Sequence, residues 1–156
     1  MRARSIAGFA LVLMAGCESA GEMQNVPAAP APPPPISQQQ ADSATNAFVA
    51  ALRAGDASQT TAYYSADAVF ISGRGKVESQ GAIAAFWTEA LKGGAGKALE
   101  LHPLKFAASG DMAWQLSHFT GGITTPTGHV LAVFQRQADG SVKLVAQVSI
   151  PEAAAK

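Results

Sequence analysis

The sequence holds a single cysteine among 156 residues, so no internal disulfide can form and the fold must rest on its core. Charge of one sign is also missing: eleven basic residues face eleven acidic ones, for a formal net charge of zero. Proteins that neutralise nucleic acid phosphates show a basic excess, and its absence here argues against a nucleic acid partner. No apolar run approaches the about 20 residues needed to span a bilayer. The three histidines have no metal-ligand spacing and no acidic cluster accompanies them, so no metal site is expected. The glycine run at 93–96 follows a helical pattern instead of opening one, which removes a phosphate cradle. No cofactor is implied.

The N-terminus carries Arg2 and Arg4, then a short apolar stretch from Ile6 to Met14, then Ala15-Gly16-Cys17. Charged head, short apolar body and small residues before a cut site form an export signal. The last step resembles the bacterial lipobox. The resemblance implies cleavage before Cys17 and a diacylglyceryl group on its thiol, which explains an unpaired cysteine in an exported chain. Several acyl chains give stable anchoring where one gives marginal binding. Glu18 is not the aspartate associated with inner-membrane retention, which points to the outer membrane. The expected location is the bacterial envelope, anchored by lipid and facing the periplasm.

Residues 18–36 are rich in proline and alanine, with prolines at 27, 30 and 32–35. Such a segment favours extended polyproline II and cannot bury a core. The expected organisation is a signal over 1–16, lipidated Cys17 and tether over 17–36, one domain over 37–151, and a flexible tail over 152–156. About 115 residues suffice for one core.

Within the domain, Ser37 followed by Gln40 forms a capping box that opens a helix to about Arg53. Ala44, Phe48, Ala51 and Leu52 make its apolar face, and Gly55 ends it. Asp56 caps a second short helix carrying Tyr63 and Tyr64. A strand follows over 68–72, with a turn at Gly73-Arg74-Gly75. Ile83, Phe86, Trp87, Ala90 and Leu91 place a third helix over 79–92. The apolar period then changes to two, predicting strands near 98–107, 112–121, 128–137 and 141–149 joined as an antiparallel meander. Helices before sheet make the class α+β.

The run from Phe48 to Gly55-Asp56, followed by Tyr63-Tyr64 and Asp67-Ala68-Val69, resembles the opening of NTF2-like domains, more narrowly the SnoaL-like and DUF4440 groups. Gly81 to Trp87 is similar to their third helix and Phe134 to Val145 to their closing hairpin. The resemblance implies an NTF2-like (cystatin-like) cone, with the N-terminal helices packed in a curved antiparallel sheet around a cavity, and pairing of copies through the outer sheet face. The ending departs from it: Ala146-Gln147-Val148-Ser149 stands where DUF4440 members often carry a His-Asp-x-Trp-like segment.

Ketosteroid isomerisation is the best understood chemistry of this superfamily. It uses an aspartate base and an oxyanion hole of a tyrosine and a protonated aspartate. By the resemblance these roles fall on Ser72, Phe48 and Ala132, none of which can perform them. The cavity expected from the resemblance is lined by Phe48, Tyr64, Phe70, Ser72, Phe86, Trp114, Leu116, His118, Val130, Ala132, Phe134 and Gln147. His118 is its one candidate acid–base group, set on the Trp114, Leu116, His118, Thr120 face of a strand. The resulting expectation is a lipid-anchored module that binds a small apolar ligand or a protein partner, including a second copy, without catalysis. The alternatives are a SnoaL-like enzyme of isomerase or cyclase type acting on a small cyclic substrate through His118, and a structural envelope protein whose cavity is filled by its own side chains.

Overall fold

The computed structural model of the protein describes residues 32–123 and 126–152. The expected export signal, Cys17, the expected tether up to residue 31 and the expected tail beyond Glu152 lie outside the described residues.

Helix α1 (Gln38–Ala54) starts at the expected capping box. The Gln40 backbone N–H donates to Ser37 Oγ at 3.2 Å, and the Ser37 N–H donates to Gln40 Oε1 at 2.9 Å. Two N–H groups that a helix start leaves orphaned are thereby satisfied. Gly55 closes the helix with φ of 72°, a left-handed cap that costs glycine nothing. Ile36 and Ala41 occupy the two positions of a hydrophobic staple, and both are buried. The fold therefore takes up Ile36, which the composition of the preceding prolines had placed in the tether. The Ile36 N–H donates to the Gly110 carbonyl, and Arg136 Nη2 donates to the Pro34 carbonyl at 3.0 Å.

Asp56 caps α2 (Ala57–Ala62) by accepting from the Gln59 N–H at 2.8 Å. Tyr63 caps its other end, and Tyr64 opens strand β1 (Tyr64–Ser72), so the two tyrosines leave the helix where the sequence pattern had kept them in it. Strand β2 (Gly75–Glu78) pairs back on β1 as a short antiparallel hairpin absent from the expected elements. Its four residues carry too little alternation to show as a strand. Helix α3 (Gln80–Ala90) buries Ile83, Trp87 and Ala90.

The meander follows as expected: β3 (Glu100–Ser109), β4 (Met112–Thr120), β5 (Thr127–Arg136) and β6 (Val142–Pro151). The sheet order is β2-β1-β6-β5-β4-β3. Strand β1 pairs with β6 in parallel, Phe70 beside Gln147 and Ile71 beside Val148. The sheet is thus mixed and not wholly antiparallel. Hairpin turns force neighbours to run oppositely, but β1 reaches β3 through a helical crossover that carries no such constraint. The helices pack against one face of this curved sheet, and the core lies between.

Candidate functional site

The inner face of the sheet and the helices enclose two small hollows that share Phe48, Leu101, Val130 and Gln147. The first has a volume of about 60 Å³. Phe48, Phe70, Trp87, Phe119 and Val130 form its floor, while Ser72, Phe86, Ile123 and Ser149 stand half-buried at its rim. The second has about 20 Å³ and is lined by Thr45, Gln115, Ser117, Ala132 and Phe134 among others.

Aromatic rings fill most of the cone. Phe48 meets Tyr63, Tyr64 and Trp87 edge-on, with centroids 5.8–6.2 Å apart. Phe70 stacks on Trp87 at 5.3 Å and meets Phe86 edge-on at 5.0 Å. Offset and edge-to-face pairs of this kind add to what burial alone supplies.

The polar groups inside are few and committed. The Tyr64 hydroxyl donates to Gln147 Oε1. Burial pushes the Tyr64 hydroxyl far above the usual tyrosine range, and the Trp87 indole N–H acts weakly in the other direction. Tyr64 is therefore a neutral donor in the folded protein, already engaged. Among the described residues the Trp87 indole nitrogen is the one buried side-chain N or O atom without a completed hydrogen bond. Thr45 Oγ1 donates to Gln115 Oε1 at 2.9 Å, and Gln115 Nε2 donates to Asp42 Oδ1 at 2.6 Å, pinning α1 to β4. No Asp, Glu, His, Lys or Arg lines either hollow among the described residues.

Of the residues expected at the cavity, the structure brings Phe48, Phe70, Ser72, Phe86, Val130 and Gln147 to the first hollow and Ala132 and Phe134 to the second. Tyr64 is buried behind them and reaches the site through Gln147. Trp114, Leu116 and His118 do not line it. On β4 the buried positions are Ala113, Gln115, Ser117 and Phe119, so the Trp114, Leu116, His118 face points outward. Period-two alternation fixes which side chains share a face but not which face meets the core. The set that the resemblance implies for the inside is the outside. His118 instead sits 3.5 Å from Glu152 across the outer surface, without access to the cone. Leu52, Trp87, Leu99, Leu101, Phe119, Gly122, Ile123 and Ser149 complete the first hollow without having been expected there. Of these, Phe119 follows from the corrected face of β4.

The SnoaL-like domain family matches residues 45–145 of the chain. Solved structures share the cystatin-like, NTF2-like fold. One is a protein of unknown function with a cystatin-like fold from Nostoc punctiforme, at TM-score 0.62 and 18% identity, covering 76% of this chain and 81% of that one. Another is an NTF2-like protein of unknown function from Pseudomonas putida, at TM-score 0.62 and 19% identity, covering 71% and 83%. A third is a ketosteroid isomerase-like protein from Erwinia carotovora atroseptica, at TM-score 0.58 and 18% identity, covering 75% and 100%. No curated protein matches the chain in sequence.

Proposed function

The chain belongs to the SnoaL-like domain family, and from that premise we propose a lipid-anchored, non-catalytic module of the bacterial envelope whose working surface is the outer face of its sheet, closed by a second copy of the chain. The observation that carries this reading is the inverted polarity of β4, which turns Trp114 and Leu116 outward while Ala113, Gln115 and Ser117 face the core. A sheet covered on one side normally shows polar residues on the other. Here Val133 lies beside Trp114, and Leu131 and Val148 flank the Leu116 row, in direct cross-strand register. A contiguous apolar patch of this kind marks an interaction surface. A twofold contact needs only one self-complementary patch, and a chain of zero net charge meets its copy without long-range repulsion.

Catalysis lacks its groups. Among the described residues the hollows hold no acid or base, and His118 lies on the other side of the sheet. A small apolar ligand is the second reading, supported by the hydroxyls of Ser72 and Ser149 at the rim of an apolar hollow. Its volume of about 60 Å³ is well below the roughly 150 Å³ that accepts a benzene ring, so only a slender chain enters without moving Phe86 or Ile123. On this reading the acyl groups on Cys17 hold the module at the membrane and the proline-rich tether spaces it from the surface.

Sedimentation velocity of the full chain in mild detergent, beside a Leu131→Asp variant, tests the pairing. The full chain should sediment as two copies. Leu131→Asp should sediment as one with unchanged circular dichroism, because the charge would have to be desolvated unpaired in the contact. A native chain that is single, or a variant that still pairs, rejects the reading.

A further inference from the structure

Every histidine of the chain stands in one row across the outer face of the sheet. His102 on β3 is the register partner of His118 on β4, and His118 is that of His129 on β5. Their ring centroids are 6.3 Å and 5.4 Å apart. Ile150 of β6 completes the row beside His129. Two carboxylates flank it. Glu100 on β3 lies 3.7 Å from His102 Nε2. Glu152, just past β6, lies 3.5 Å from His118 Nε2 and 4.0 Å from His129 Nδ1. Lys105, opposite Leu116, adds a cation on the same face of β3. Arg136 and Lys143 lie at the far ends of β5 and β6 from the row. The histidines sit two residues along the strands, about 7 Å, from the Leu116, Leu131 and Val148 row. A stable pair covers about 800 Å² on each partner, so a copy seated on the Leu116 row also covers the histidines.

We infer that this row makes the pairing pH-sensitive: the second copy seats on neutral imidazoles and leaves when they take up protons. The inference rests on the pairing reading above and names its regulation. Imidazole is the side chain that ordinarily changes charge between pH 5 and 8. With the imidazoles neutral, Lys105 stands against two carboxylates. With all three protonated, four cations stand against the same two, and the formal charge of the whole chain rises from zero to three positive. Glu100 and Glu152 offset part of this charge. The surplus must be desolvated unpaired in the contact or face the like charge of the other copy. Glu152 brings no opposing titration into this window. The Thr127 side chain holds its carboxyl below the usual carboxylate range, outweighing the effect of burial, and His118 adds to the lowering. The sign follows from linkage. Separated chains bind more protons than the pair, so pairing is strongest above the imidazole range and is lost as pH falls through it. Each proton shed on pairing weakens the contact by up to about tenfold per pH unit.

Sedimentation velocity of the full chain in mild detergent, over a range of concentrations at pH 7.5 and at pH 5.5, tests it. The Kd of the pair should rise by more than about tenfold on acidification and recover at pH 7.5, with circular dichroism unchanged throughout. A triple variant, His102→Gln with His118→Gln and His129→Gln, keeps a neutral polar group at each position and should pair alike at both pH values. A native Kd that moves by less than about threefold, in a chain that pairs at pH 7.5, overturns this inference and leaves the pairing intact. A triple variant that still separates on acidification, or that is single at both pH values, overturns it too. A native chain that is single at pH 7.5 rejects the pairing itself, and this inference with it.

Discussion

Phe48→Ala is expected to lower the free energy of unfolding by about 3–5 kcal/mol, the usual cost of removing a buried phenylalanine ring. Phe48 is 4% exposed and stands where the two hollows meet. Its ring also makes edge contacts with Tyr63, Tyr64 and Trp87, so truncation strips three aromatic partners at once. The surrounding residues belong to α1, α3 and the sheet and cannot all collapse into the gap. Urea denaturation checks the value, and Tm should fall by more than about 10 °C. A loss below about 1 kcal/mol would mean that the ring is not packed as described. The same position explains why the cone is poor in chemistry. A tyrosine there would bring a hydroxyl to the centre of the site, whereas phenylalanine contributes packing alone.

Gly121→Ala is expected to destabilise the domain by about 2–5 kcal/mol through two separate costs. Its φ is 63°, which an L side chain tolerates poorly. An added Cβ would also lie 2.0 Å from the Ala98 carbonyl oxygen and 2.5 Å from its carbon, and backbone cannot rotate away. Gly140→Ala is the matched control. It shares a positive φ of 82° but has open space around the added carbon, so it should lose only about 1 kcal/mol. Equal losses in the two variants would show that the approach of Gly121 to the Ala98 backbone carries no energy.

What could be read from the residues was whatever a local rule determines. The Ser37–Gln40 box, the Asp56 cap and the Ile83–Trp87–Ala90 stripe each place their helix because the chemistry lies within one or two turns. The hairpin turns likewise place β3 to β6. Features set by distant partners were less visible. Nothing near Tyr64–Ser72 announces that β1 will lie parallel to β6. Ile36 follows four prolines and looks like spacer until the β3–β4 turn accepts its N–H and Arg136 holds the preceding Pro34 carbonyl. The candidate site divided along the same line. Phe48, Phe70, Phe86 and Gln147 were found because their elements were placed correctly. The resemblance puts Trp114, Leu116 and His118 inside, and period-two alternation does not correct it, because it says which side chains share a face and not which face is inner. The outer face of this sheet is itself apolar, and that fact supports a partner there.

Native mass spectrometry of the full chain, released intact from the membranes of its producing cell, bears on all of this at once. The account predicts a particle of two chains, each with the mass of a product beginning at acylated Cys17, and no small molecule held inside. Single chains that each retain a stoichiometric small molecule would contradict it, returning the function to the interior of the cone.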